Sequence, residues 1–230
     1  MKKFELTSEF ITNIFGTKLF RIKALIEFGN VKAGELGGFV EKEENLSQDG
    51  NAWVYDNARV YGDACVCGDA WVYDNARVCG DARVHGNARV YDNARVHGNA
   101  WVYGNACVCG DACVCGDARV YDNAWVYGNA WVYDNARVYG DACVYGDARV
   151  CGDACVYGDA GYATVHGFGS EYRTTTFFKT KAGVGVKCGC FYGNLSEFRK
   201  KVVETHGETK KAKEYLMLAD LMEFRFSDNS

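Results

Sequence analysis

Residues 80–103 read GDARVH-GNARVY-DNARVH-GNAWVY, four copies of one hexapeptide: Gly or Asp, then Asn or Asp, then Ala, x, Val, y. Working outward, valine holds every sixth position from Val54 to Val156, eighteen times, and alanine from Ala52 to Ala160, nineteen times. A strict short period marks a repeat architecture before any other signal is weighed. In Ala-x-Val the alternation of an extended chain sends Ala and Val to one side and x to the other. The small and the branched residue are therefore expected inside, with x and y outside. The remaining pair, Gly-Asp, Gly-Asn or Asp-Asn, is turn chemistry. Where its first residue is Asp the second is always Asn, a residue suited to a left-handed backbone.

Three edges of six residues make a triangular coil of eighteen, with three Val and three Ala inside. About six coils at ~4.8 Å predict a rod of about 30 Å. The fold class expected is an all-β solenoid, a parallel β-helix, over residues 49–166. Residues 1–48 break the period and are expected to form an N-terminal β cap, with a strand over 18–26. At the other end Ala160-Gly161-Tyr162 lacks the expected valine, and Ala163-Thr164-Val165 comes three residues late. Residues 167–230 are expected to form a C-terminal ββαα module. Its hairpin would run over 174–180 and 184–191, with Cys188 and Cys190 as strand residues. Asn194 would cap a helix ending near Gly207, and a second helix over 210–222 would bury Tyr215, Leu218, Leu221 and Met222. Solenoid ends need covers, so Phe177, Phe178, Val186, Phe191, Leu195, Phe198 and Val202 are expected to close the rod. A partner-docking or oligomerising role for this module is the rival reading.

The repeat type and the N-terminal segment carry a resemblance. Val-x-x-x-Ala-x resembles the hexapeptide motif of left-handed β-helix acyltransferases. Residues 18–60, with Gly37-Gly38-Phe39-Val40 and Asn45-Leu46-Ser47, resemble the YdcK-like family of acetyltransferase-like proteins of gut bacteria and their phages. The resemblance, not the pattern, implies a left-handed coil, since the general rule for parallel crossovers points the other way. It also implies an acetyl-CoA-dependent acyltransferase as one function, working through a histidine base, with a bacterial or phage source.

Composition narrows the rest. The net charge of −4 favours neither nucleic acid nor an anionic membrane, and no eighteen-residue apolar stretch predicts a span. Glu5 and Glu9 interrupt any signal-peptide core, so a cytoplasmic protein is expected. Of twelve cysteines ten lie in the repeats, several as Cys-Val-Cys. Side chains two apart on a strand run parallel with Cα atoms about 6.5 Å apart, poor disulfide geometry, so free thiols are expected. The x set is Arg, Trp and Cys, and the y set Tyr, Cys and His. Each set is connected by single-base transitions, as duplication of one six-codon unit followed by drift would leave it. Val and Ala stay fixed because interior volume is constrained.

Function must come from the outward columns. Stacking by eighteen aligns Cys79, His97 and Cys115, but two rungs separate the thiols, too far for one Zn²⁺. No metal and no cofactor are expected. His85, His97 and His166 are the candidate bases for acyl transfer, yet no loop interrupts the repeats to build a pocket around them. Arg with aromatics suits single-stranded nucleic acid, but fourteen Asp against eight Arg in the repeats oppose phosphate. A column of Tyr103, Tyr121, Tyr139 and Tyr157, with Arg83, Trp101, Arg119 and Arg137, has the make-up of interface hot spots. The best reading is a non-catalytic scaffold presenting this surface to a protein partner or to itself as a homo-oligomer, with no membrane contact. Stacked tyrosines that only stabilise the rungs are the competing account.

Overall fold

The computed structural model describes residues 2–169 and 174–227. Three strands open the chain: β1 (Phe4–Thr12), β2 (Lys18–Ala24) and β3 (Leu36–Val40), joined antiparallel. Eighteen short strands follow, β4 (Trp53–Val54) through β21 (Cys155–Tyr157), one per valine-bearing repeat. They stack in parallel on partners eighteen residues away: Arg59 pairs with Arg77, and Arg77 with Arg95. Three sheets result, and the chain is a parallel β-solenoid. One sheet runs β3-β5-β8-β11-β14-β17-β20, so it has about seven turns. The stack reaches back into the N-terminal segment, where Phe39 and Val40 lie under Arg59 and Val60 and Leu46 bridges Val66.

Every repeat valine is fully buried, and so are the alanines from Ala52 to Ala154. Ala160 is exposed because the chain has already left the stack. The outward assignment fails at five positions: Trp53, Cys107, Cys109, Cys113 and Cys151 are buried. Trp53 lies under the N-terminal cap, edge-on to Phe4 and Phe28. Cys107 sits between Arg89 and Trp125, and Cys113 between Arg95 and Trp131, so long neighbours close over a short thiol.

The corners use the first turn residue, not the Asn, for the left-handed backbone. Gly fills that place at most corners, and Asp56, Asp74, Asp92, Asp122 and Asp134 take φ of 50 to 59°. The reason lies one coil on: the Asp92 carboxylate accepts the Gly110 N–H at 3.0 Å, and Asp122 that of Gly140 at 3.3 Å. The second turn residue builds a side-chain ladder instead. The Asn87 amide donates to Asn105, Asn105 to Asn123, and Asn123 to Asp141, at 3.0 to 3.1 Å.

Each end is closed by a different cover. Phe4, Ile22, Val31 and Leu46 join the valine core at the start. Buried Lys3 donates to the carbonyls of Gly50 and Ala52 at 3.3 and 3.0 Å, and burial holds its pKa down at about 8. At the far end the chain departs at Gly158–Gly161 and forms a four-stranded antiparallel sheet of β22 (Tyr162–Val165), β23 (Thr175–Thr180), β24 (Gly183–Cys188) and β25 (Phe191–Asn194). Two strands more than expected are present, and Cys190 lies in the turn between β24 and β25. Helices α1 (Leu195–His206) and α2 (Lys210–Phe226) complete the module. Asn194 and Glu197 cap α1 reciprocally. Helix α2 runs four residues past the expected end, burying Phe226 and leaving Leu221 exposed.

The sheet has two sides. Phe178 and Tyr162 plug the valine core, and the Thr176 hydroxyl accepts the Arg149 N–H at 3.0 Å. Phe177, Val186, Leu195, Phe198 and Val202 belong to a separate core with α2. Of the residues expected to cover the rod, only Phe178 does so. Alternation sends its neighbour Phe177 the other way.

Candidate functional site

The sheet of β6, β9, β12, β15, β18 and β21 gathers most of the expected surface. Because rungs repeat at ~4.8 Å, rings in a y column meet at stacking distance. His85 stacks on Tyr103 at 5.0 Å, Tyr103 on Tyr121 at 4.9 Å and Tyr121 on Tyr139 at 5.1 Å, with interplanar angles of 1 to 5°. Tyr157 ends the column tilted, at 5.2 Å and 47°. Beside it run Arg83, Trp101, Arg119 and Arg137. The guanidinium groups of Arg83 and Arg119 lie 5.2 and 5.5 Å from the Trp101 ring, one on each neighbouring rung. Burial within the stack pushes the Tyr103 and Tyr121 phenols up. A second sheet repeats the theme less continuously: Tyr73 stacks on Tyr91 and Tyr127 on Tyr145, with Cys107 and Cys109 between.

The three candidate histidines do not converge. His85 belongs to the aromatic column. His97 lies on the sheet of β11, on another side of the rod. His166 is exposed beyond β22, its Nδ1 3.2 Å from the Thr174 hydroxyl. Burial, then Arg83 and Arg95 respectively, lowers the pKa of His85 and His97, keeping both neutral near pH 7.

Two features escaped the sequence reading. A cleft of about 990 Å³ opens between the last coils and the C-terminal module, lined by Arg137, Asp153, Cys155, Lys181, Asn194 and Glu197 among others. None of the three histidines lines it. It arises from how the module docks, which no local pattern encodes. The other feature is a cluster of His97 with Cys113 and Cys115. The column of Cys79, His97 and Cys115 was legible, but Cys113 enters from the x position of the same rung as Cys115. Pairing x with y across neighbouring rungs would have found it. All twelve cysteines are free.

Comparison with known proteins agrees with the coil. The family profile described as YdcK Beta solenoid repeat matches residues 52–68, 70–86, 88–104, 112–128, 118–134 and 130–146. A protein of Escherichia coli (strain K12) named uncharacterized acetyltransferase YdcK is 40% identical over 76 residues, 30% of this chain. The matched stretch spans 23% of that protein's own length.

Proposed function

From repeats that match the YdcK β-solenoid profile, we propose a non-catalytic scaffold whose aromatic–arginine face docks a protein partner. One observation carries this: the unbroken stack from His85 through Tyr157, with Trp101 held between two guanidinium groups. Rings and guanidinium groups already fixed by the rung spacing lose little freedom on binding, the main cost of using long or aromatic side chains in an interface. Five rungs give a strip about 20 Å long. That is the centre of an interface rather than the ~800 Å² a standard one buries on each partner. The acidic corners on either side would supply the polar rim.

The second reading, acyl transfer, draws on the name of the Escherichia coli relative and on the cleft beside the module, whose volume suits a cofactor-sized ligand. Against it stands the scatter of the histidines. Saturable acetyl-CoA binding by calorimetry, lost in Arg137→Ala or Lys181→Ala, would promote it.

A photo-crosslinking residue in place of Tyr121, compared with one in place of Arg77 on another face, tests the scaffold reading. A discrete adduct from the Tyr121 position alone is expected. An adduct of twice the chain mass would identify a second copy as the partner. Equal labelling from both positions, or none, would reject the face as a docking surface.

A further inference from the structure

Cys113 and Cys115 stand on one rung as x and y of a single repeat, so both side chains leave the same side of β14 while Val114 points into the core. One rung below, His97 follows Arg95 and Val96, which pair with Cys113 and Val114. The stack therefore sets the imidazole beneath the two thiols. Cys113 Sγ lies 3.4 Å from His97 Nε2. Taking one ligand atom from each, all three lie within 4.8 Å of one another. Tetrahedral zinc, with Zn–S of about 2.3 Å and Zn–N of about 2.0 Å, spaces its ligand atoms roughly 3.5 to 3.8 Å apart. Rotamer adjustments of about 1 Å would close the set.

The other Cys-Val-Cys rungs lack this arrangement. Beside Cys107 and Cys109 the neighbouring rung carries Tyr91, a phenol where the site has an imidazole. Above Cys65 and Cys67, the histidine of the next rung is His85, whose ring lies flat on Tyr103 further along the rod. Among the described residues no second group of three such ligands comes together.

We propose that His97, Cys113 and Cys115 form a three-ligand site for Zn²⁺, with the fourth position left to water. Two sulfurs and one imidazole are the donor set that borderline-soft Zn²⁺ accepts. The site lies on a different sheet from the aromatic column and does not depend on that column's role. Binding converts both cysteines to thiolates and releases their protons, so uptake weakens as pH falls.

The test is equilibrium dialysis of the reduced, chelator-stripped full chain against Zn²⁺, with Co²⁺ as a spectroscopic probe. One Zn²⁺ per chain is expected, with a thiolate-to-cobalt charge-transfer band. His97→Gln and Cys115→Ser should each weaken binding at least about a hundredfold, since even outer-shell partners are worth 10–100-fold. The double variant Cys107→Ser/Cys109→Ser should leave it unchanged. His97 and Cys115 are only part-buried, so both single variants are expected to keep the native circular dichroism, which is recorded alongside. No retained zinc, retention unaffected by His97→Gln, or equal losses at the Cys107/Cys109 control would each overturn the site.

Discussion

Phe177 and Phe178 are adjacent on β23, both fully buried, and they serve different cores. Replacing either by Ala removes a whole ring from a packed interior, about 3–5 kcal/mol. The consequences diverge because the two cores differ in size. The module has only about 60 residues, and a core that small seldom supplies more than about 3–5 kcal/mol. Phe177→Ala should therefore unfold the module without denaturant. Two probes separate the outcomes. All five tryptophans lie between Trp53 and Trp131, in the rod, whereas α1 and α2 are the α-helices among the described residues. Phe177→Ala should lose the helical far-ultraviolet signal and keep the native tryptophan emission. Phe178→Ala should expose Val150 and Val156 at the open end. It should then raise the mass measured by light scattering with increasing concentration, because an uncovered coil end offers unpaired backbone to another copy. If both variants shift both spectroscopic signals together and neither changes the mass, the description of two cores and a plug is wrong.

Val102→Asp, mid-stack and fully buried, should unfold the rod cooperatively, since a carboxylate there has no partner; an unchanged melting curve would contradict the inward assignment. Gly86→Ala and Gly146→Ala both place a side chain at φ near +70°, a strain of about 1–2 kcal/mol. Only at Gly86 would the new Cβ meet the next coil's backbone, at 3.0 Å, so denaturant titration should show a further loss of about 1–3 kcal/mol there. At alkaline pH two signs compete. Lys3, held at about 8, binds its proton less readily folded than unfolded, so stability rises from pH 8 towards 10.5. Tyr61 and Tyr73, raised to about 12 chiefly by burial, keep protons that the unfolded chain loses near 10, so their contribution is complete below pH 10 and disappears towards 12. Cys107, raised from 9 to about 11 chiefly by burial, begins the same kind of loss already at pH 9; the melting temperature should therefore rise above pH 8 and turn over between about pH 9 and 10, and Lys3→Met should abolish the rising limb.

The coil was legible because its constraint is local and periodic: Val and Ala every sixth residue can satisfy only one alternation. The stacked tyrosines followed from counting by eighteen. What stayed hidden depended on neighbours outside one column. Trp53 reads like any x residue until Phe4 and Phe28 fold over it. Asp at a corner looks like a charge to be offset by the following Asn, yet it takes the left-handed place because the next coil's N–H needs an acceptor. Strand β22 reads in the sequence as a slipped repeat, since Ala163-Thr164-Val165 imitates the unit while pairing antiparallel with Thr175–Phe178. The cluster of His97, Cys113 and Cys115 crosses from an x to a y column, so no single column displays it.

Stacking partners eighteen residues apart have one more consequence, for how such a gene can change length. Loss or gain of three hexapeptides shortens or extends the rod by one rung, about 4.8 Å, and leaves the C-terminal module at the same azimuth relative to the N-terminal cap. Loss of a single hexapeptide instead swings the module round by a third of a turn, so the cleft beside Arg137 faces a different side. Copy-number slippage thus sets two mechanical quantities, reach and orientation. Only changes in multiples of three preserve the second.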